Sequence, residues 1–235
     1  MRPPQEGDDS ILVHNLDWAQ TRFIPASTYK IPNTIIALET GVADSAGFAI
    51  AWDSTKAVPG RYWPRSWKRD QTLTTAFRNS VSWYYQEIAR GVGRRRIQQH
   101  VNCWGYGKRN LEPAVGTFWL YGDLRISPLE QVDFIQRYRN GRLDISERTT
   151  TIMQEIMVME RTETYLLLGK TSTGEVTPTR ELGWLVGYVE SRGGEPGGRT
   201  RLGGVATSET QAADPGDPAI PQHDPIAPSI FFIRL

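Results

Sequence analysis

The chain has 235 residues, which suffices for one compact domain or two interleaved lobes with a sizeable core. Its 27 Lys and Arg nearly balance its 26 Asp and Glu, so the net charge of +1 gives no electrostatic case for nucleic acid or an anionic membrane as partner. No apolar run approaches the roughly 20 residues of a membrane-spanning helix. The single cysteine, Cys103, excludes an intrachain disulfide and a cysteine-rich zinc site, and the three histidines form no metal motif.

The first half of the chain predicts a strand followed mainly by helices. The apolar run 11–13 predicts a strand that leads into a connection. Residues 26–40 predict a buried helix, in which Pro32 either kinks the helix or separates a short first turn from its main body. We expect a long ordered connection over 48–70 and helical structure over 72–90.

The second half changes from helical to strand patterns. Helical spacing and serine or glycine signals predict three more helices, at 94–101, 128–140 and 145–159. Short apolar runs at 165–168 and 184–189 predict antiparallel strands joined by a loop over 173–182. A strand first, helices in the middle and strands last indicate an α+β fold.

The stretch 191–228 has a different composition from the rest. Seven glycines and six prolines fall among its 38 residues, and none is aromatic. We expect such a segment to bury too little apolar surface to offset its ordering entropy. The final residues 228–235 are apolar enough to predict one last strand.

The sharpest candidate for chemistry is the segment Ser27-Thr28-Tyr29-Lys30. Residues three apart share one face of a helical turn, so the Ser27 hydroxyl and the Lys30 amine can meet. A serine becomes a good nucleophile when a base removes its proton, and a lysine is such a base only when its amine is neutral. Alone the pattern is weak, and a helix-capping serine beside an exposed lysine is the simpler alternative.

Three other places carry candidate polar groups. Ser80 lies near the start of an amphipathic pattern, where it could relay protons or simply cap a helix. Lys170-Thr171-Ser172 follows a predicted strand, where it could bind a carboxylate or form a solvated strand end. Tyr106-Gly107-Lys108 predicts a tight turn.

Taken in order, these motifs resemble the penicillin-interacting serine enzymes, which carry S-x-x-K and K-T-G signatures. The surrounding sequence is similar to class D β-lactamases (oxacillinases) in the segments 23–41, 118–127 and 183–189. The segment Asn-Ser-Val-Ser-Trp-Tyr at 79–84 is similar both to that family and to the sensor domains of membrane β-lactam receptors. The resemblance covers residues 11–190.

The resemblance implies a serine β-lactamase/transpeptidase-like fold of the α+β class. In it a mixed α/β sheet lobe, 1–45 plus 163–235, carries an inserted helical lobe, 46–162. The implied function is hydrolysis of β-lactam antibiotics as small-molecule substrates, with no cofactor other than a carbon dioxide adduct on Lys30. The location implied by the resemblance is periplasmic or secreted. Because the sequence starts without an apolar signal region, we expect either a cytosolic protein or an export signal that lies outside this chain. The resemblance leaves open whether the protein forms a homodimer.

The resemblance also implies roles for the nucleophile, the base and the residues around the base. Ser27 would be the acylated nucleophile, and carboxylated Lys30 would be the general base in acylation and deacylation. Trp119 would donate its indole N–H to the carbamate, with Leu120 beside it. Ser82 stands where the family has an apolar residue over the carbamate, and β-lactam sensors that stay acylated also carry a polar residue there.

The resemblance also implies roles for residues that contact the substrate. Ser80 would pass a proton to the departing lactam nitrogen, and Lys170 and Thr171 would bind the substrate carboxylate, with Tyr106 nearby. The oxyanion hole would be formed by the backbone N–H groups of Ser27 and Thr173.

Several positions depart from the family pattern. Ser172 replaces the glycine of K-T-G, so we expect its side chain to crowd the substrate. Lys108 replaces an asparagine, and the Gly/Pro-rich stretch stands where the family has a terminal helix and a carboxylate-binding arginine. Two alternatives to a hydrolase therefore remain: a sensor or penicillin-binding protein with a long-lived acyl adduct, and an inactive degenerate copy.

Overall fold

The computed structural model describes residues 11–13, 15–57, 63–177, 180–192, 201–211 and 229–234. The helices and strands are, in chain order, β1 (Ile11–Leu12), α1 (Leu16–Gln20), a 3-10 helix (Ala26–Tyr29), α2 (Lys30–Glu39), β2 (Ala49–Ile50), a second 3-10 helix (Arg65–Trp67), β3 (Gln71–Thr72), α3 (Leu73–Arg78), α4 (Ser82–Val92), α5 (Arg94–Cys103), α6 (Pro128–Arg139), α7 (Glu147–Ile156), β4 (Val158–Arg161), β5 (Tyr165–Thr177), β6 (Arg180–Ser191), β7 (Arg201–Gln211) and β8 (Ser229–Arg234). The predicted α+β class is confirmed. None of the helices among these residues is long and apolar enough to cross a bilayer.

Six strands form the main sheet in the order β1-β8-β7-β6-β5-β4, and neighbouring strands are antiparallel. Among the described residues, the first strand, β1, therefore pairs with the last, β8. Helix α6 packs on β6 and β7. Arg139 of α6 forms an ion pair with Glu190 of β6 at 2.5 Å and lies 4.4 Å from the ring centroid of Tyr188. These contacts fix α6 against the sheet.

The segment that leads into the first 3-10 helix is held from two sides. Phe23 and Ile126 exchange backbone hydrogen bonds of 3.0 and 2.9 Å. The indole N–H of Trp184 on β6 donates to the carbonyl of Ile24 at 3.1 Å. Because both anchors precede the turn by only a few residues, they fix its position relative to the sheet.

Several helix predictions are confirmed with their boundary signals. Ser127 caps α6 in a capping box with Glu130, and the Ser146 side chain accepts from the backbone N–H of Thr149 at the start of α7. Helix α5 lies where 94–101 predicts a helix. Pro32 lies in the first turn of α2, after a separate 3-10 turn, as one of the two alternatives for this proline predicts.

The helical structure predicted over 72–90 is present as two helices, because α3 and α4 are separated at 79–81. Ser80 has a φ of +58°, in the left-handed region, where a right-handed helix cannot continue. The helix predicted over 145–159 ends at Ile156, and β4 follows as the edge strand of the sheet. Helix α1 lies in a predicted connection, where Asn15 accepts from the Trp18 N–H as a cap.

The loop predicted over 173–182 is also wrong. Strand β5 continues to Thr177 and β6 begins at Arg180, with Thr173 paired to Gly183 and Gly174 to Leu182. The polar composition misled the prediction, since backbone pairing in a ladder satisfies N–H and C=O groups whatever the side chains.

The low-complexity interpretation of 191–228 is wrong for 201–211. These residues form β7, which is paired on one side to β6 and on the other to β8. Pairing on both sides satisfies the backbone of a strand that has few large apolar residues. The remainder of that prediction, 193–200 and 212–228, lies outside the described residues, and the predicted last strand is confirmed as β8.

Candidate active site

Ser27 and Lys30, the predicted nucleophile and base, are in direct contact. Ser27 lies in the 3-10 helix and Lys30 is the first residue of α2, so they lie one turn apart. Lys30 Nζ is 2.8 Å from Ser27 Oγ. The Lys30 side chain is fully buried, whereas Ser27 is partly exposed. The nucleophile is thus open to a ligand while the amine is not open to water.

The surroundings of Lys30 favour its neutral form. Burial lowers the pKa of Lys30 well below 10.5, and the nearby charge of Lys170 lowers it further. The Lys30 amine lies 5.4 Å from the ring centroid of Tyr85. A charged amine would donate a hydrogen bond to Ser27 Oγ, whereas a neutral amine can accept the hydroxyl proton. The arrangement can therefore activate the serine.

A second buried lysine approaches the site from β5. Lys170 is 4% exposed, and its Nζ donates to the carbonyl of Thr171 at 2.7 Å. Burial lowers the pKa of Lys170 to about 8. Lys170 and Thr171 line a cavity of 230 Å³ together with Phe77 and Arg78 of α3. This cavity offers a cation to an anionic ligand, although Ser27 is not part of its lining.

Strand β5 also reaches Ser27 directly. The backbone N–H of Ser27 donates to Ser172 Oγ at 2.6 Å, and the Ser172 side chain is buried. Two residues further on, a Cβ on Gly174 would lie 3.0 Å from Ile24 Cγ2, so a glycine allows β5 to approach the nucleophile segment. Thr173, between them, has an exposed side chain.

Ser80 lies at the bend between α3 and α4. Its left-handed backbone is uncommon for a residue other than glycine, and such conformations cluster at functional sites. Its N–H donates to the carbonyl of Phe77 at 3.2 Å, and Val81 next to it is fully buried. Ser82 is the first residue of α4 and is half-buried. Ser80 thus follows closely along the chain after Phe77 and Arg78, two residues that line the cavity of Lys170.

The aromatic residues singled out in the sequence pack behind the nucleophile turn. Trp119 is fully buried and stacks on Tyr29 with ring centroids 5.5 Å apart. Its indole N–H has no acceptor among the described residues. Tyr106 is 1% exposed, and its hydroxyl donates to Gln131 at 3.2 Å. Leu120 is half-buried and packs against the core.

Two residues near the site were missed by the sequence analysis. Gln131 of α6 is buried, and its side-chain N–H donates to Thr28 Oγ1 at 2.8 Å, which ties α6 to the nucleophile turn. Arg78 lines the cavity beside Lys170. A glutamine within a helix carries no sequence signal of burial, so Gln131 could not be singled out. Arg78 could have been singled out only from the bend between α3 and α4, which the sequence analysis did not predict. In the described ranges, no group of three or more His, Cys, Asp or Glu could hold a metal.

Comparisons with known proteins show which family the chain belongs to. The model of the penicillin binding protein transpeptidase domain matches residues 3–195. β-Lactamase OXA-48 of Klebsiella pneumoniae is 36% identical over 179 residues, which are 75% of this chain and 64% of that protein. Regulatory protein BlaR1 of Bacillus licheniformis is 31% identical over 180 residues, which are 76% of this chain and 29% of that protein.

Solved structures give the same family. The class D β-lactamase YbXI from Nostoc matches with a TM-score of 0.74 and 35% identity, over 86% of this chain and 80% of that one. The chain spans 64% of the length of OXA-48, the first of these relatives. Because the family model covers most of the chain and a relative above 30% identity is matched over four fifths of its length, the chain belongs to the penicillin-binding transpeptidase family and, within it, to the class D β-lactamases.

Proposed function

We propose that the protein hydrolyses β-lactams through an acyl-enzyme on Ser27. The observation that carries this proposal is the 2.8 Å contact between Ser27 Oγ and the fully buried amine of Lys30. Ser27 Oγ would attack the lactam carbonyl carbon while its proton moves to the base at Lys30. The lactam C–N bond would break, and the proton taken up by the base at Lys30 would pass through the Ser80 hydroxyl to the departing nitrogen. Water would then hydrolyse the ester and return Ser27 to its starting form.

The surroundings of Lys30 fit the carbon dioxide adduct that the family resemblance implies. Burial lowers the pKa of the Lys30 amine and so favours its neutral form, and only a neutral amine reacts with carbon dioxide. Trp119 offers a buried indole N–H that has no acceptor in the described part of the chain. The adduct would supply an oxygen base next to Ser27, and Trp119 would hold that oxygen by donating its N–H.

Lys170 is proposed to bind the substrate carboxylate, which predicts a specific pH dependence. Its ammonium is present below a pKa of about 8 and is lost above it. Because kcat/KM reports the free enzyme, we expect this ratio to fall by up to about tenfold for a carboxylate-bearing cephalosporin as pH rises from about 7 to about 9. Steady-state rates measured across that range provide the test.

The methyl ester of the same cephalosporin is the control for Lys170. The ester presents no charge to the ammonium, so its kcat/KM should lack this fall, while any effect of Lys30 on acylation acts on both substrates. Equal pH profiles for acid and ester would show that Lys170 does not bind the carboxylate.

A second candidate function is a β-lactam receptor that keeps its acyl group. Two observations favour it: Ser82 stands at the position of the family's apolar residue, and the chain is similar to regulatory protein BlaR1. A polar side chain there would admit water to the base at Lys30 and favour loss of carbon dioxide, which slows deacylation.

Hydrolysis of a chromogenic cephalosporin separates the two functions. A hydrolase gives many turnovers per protein, whereas a receptor gives a burst of one equivalent followed by little further reaction. If a protein with a cooperative thermal melt gives neither turnover nor a burst, the proposed function is wrong.

A further inference from the structure

The hydroxyl of Ser172 occupies the hydrogen-bond donor that the reaction would use. Ser27 N–H donates to Ser172 Oγ at 2.6 Å, and the Ser172 side chain is 8% exposed. Ser172 is the third residue of Lys170-Thr171-Ser172, where the K-T-G signature has glycine. A glycine at 172 would leave the Ser27 N–H without this acceptor.

The Ser27 N–H matters because acyl transfer places negative charge on the carbonyl oxygen. Backbone N–H groups that point at this oxygen stabilise it in the transition state. A bound carbonyl would need the Ser27 N–H as one donor, and β5 supplies the other.

The second donor follows from the register of β5. Gly169 N–H donates to the carbonyl of Met157, on the β4 side of the strand. Backbone groups alternate between the two sides of a strand, and the pairing from Gly169 to Gly174 runs without a shift. Thr173 N–H therefore points to the same side as Gly169 N–H. Beyond the short β4, this side of β5 faces the nucleophile turn.

We propose that Ser172 is a specificity-determining residue whose hydroxyl fills the oxyanion hole of the resting protein and must be displaced by the substrate carbonyl. This inference rests on the proposed function of Ser27. The hydroxyl acts as an internal competitor in acylation, and again in deacylation, because the ester carbonyl needs the same N–H. Only carbonyls that accept hydrogen bonds strongly and are held close to Ser27 would displace it.

Displacement requires rotation of one side-chain torsion and no change of the strand. A serine χ1 has three staggered positions, so the hydroxyl can leave the Ser27 N–H while β5 keeps its pairing. The competitor is thus removable, and its effect should appear as a slower reaction in place of a complete block.

Two substitutions separate the hydroxyl from the rest of the side chain. Ser172→Ala removes the hydroxyl and keeps Cβ, whereas Ser172→Gly also removes any crowding by Cβ. We expect both to raise the second-order rate constant of acylation by a benzylpenicillin by about tenfold, and to shorten the lifetime of the adduct. Intact mass spectrometry of quenched samples measures both quantities, and Ser45→Ala in an exposed loop is the matched serine control.

A second readout does not depend on β-lactam chemistry. Hydrogen exchange of the Ser27 amide, resolved by NMR in the free protein, should be faster in Ser172→Ala than in the wild type and in Ser45→Ala. Unchanged exchange in Ser172→Ala means that the contact is absent, and the inference is then wrong even if the wild type hydrolyses β-lactams.

The acylation rates give the remaining outcomes. Equal or slower acylation of Ser172→Ala overturns the inference, since the hydroxyl then does not compete with the carbonyl. Faster acylation of Ser172→Gly alone assigns the obstacle to Cβ and also overturns it. If no variant forms an adduct although the Ser27 amide responds, the proposed function fails, and displacement by a lactam carbonyl fails with it.

Discussion

Ser27→Ala is expected to lower β-lactam turnover by at least about 10⁴-fold, because loss of the nucleophile removes the covalent route altogether. The binding groups of β5 remain in this variant, so noncovalent binding of the substrate should persist. Turnover of a chromogenic cephalosporin and the melting temperature should be measured together. The exposed Ser45→Ala is the matched control and should keep wild-type turnover.

The residual activity of Ser27→Ala decides whether Ser27 is the nucleophile. Turnover within about tenfold of the wild type, in a protein that melts cooperatively, would exclude Ser27 as nucleophile, because a true nucleophile contributes far more than that. Thr28 is buried and donates to the carbonyl of Pro25 at 2.7 Å, so it is not a ready substitute.

Lys30→Met is expected to lower turnover by about 10³- to 10⁴-fold while leaving the fold intact. Methionine has a similar length and no amine, so the base is removed without opening a large cavity. Because burying an amine is costly, the melting temperature should stay the same or rise. Turnover and thermal melts of the same preparations provide the measurement.

Lys30→Met should also change how the free energy of unfolding depends on pH, and the direction of that change can be predicted. The pKa of Lys30 in the folded protein lies below 10.5, so between these two values the unfolded chain binds more protons at this site than the folded chain. Stability therefore rises with pH through that window, and Lys30→Met should flatten this rise. An unchanged slope would mean that the amine is not desolvated in the folded protein.

Carbamate formation provides a second test of Lys30. Incubation with ¹³C-bicarbonate should give a carbamate signal in the wild type and none in Lys30→Met, and bicarbonate should speed turnover only in the wild type. A carbamate signal of equal size in both proteins would place it on another amine.

The nucleophile side of the site was predictable because its contacts are local. Ser27 and Lys30 are one turn apart, so helical geometry alone brings their side chains together. The environment of Lys30 was harder to predict, because the Tyr85 ring and the charge of Lys170 come from far along the chain. A sequence window around the motif contains none of these groups.

Two errors in the fold prediction, at 173–182 and at 201–211, have one physical origin, which is that long-range pairing overrides local composition. The β7 segment is rich in small and polar residues, yet it pairs with strands on both sides. The break at Ser80 is the opposite case, where a left-handed backbone interrupts a pattern that is locally helical. The contact between Ser27 and Ser172 joins residues 145 positions apart and depends on the register of β5.

Mass spectrometry of the tryptic peptide Phe23–Lys30 after brief exposure to benzylpenicillin shows whether Ser27 is the residue that is acylated. Trypsin cleaves after Arg22 and after Lys30, so Ser27 lies in a peptide of its own. We expect a penicilloyl adduct on Ser27 that appears within the first turnovers, decays as penicilloic acid accumulates, and is absent from Ser27→Ala. An unmodified peptide from protein that is turning over penicillin, or an adduct that survives in Ser27→Ala, would contradict this expectation.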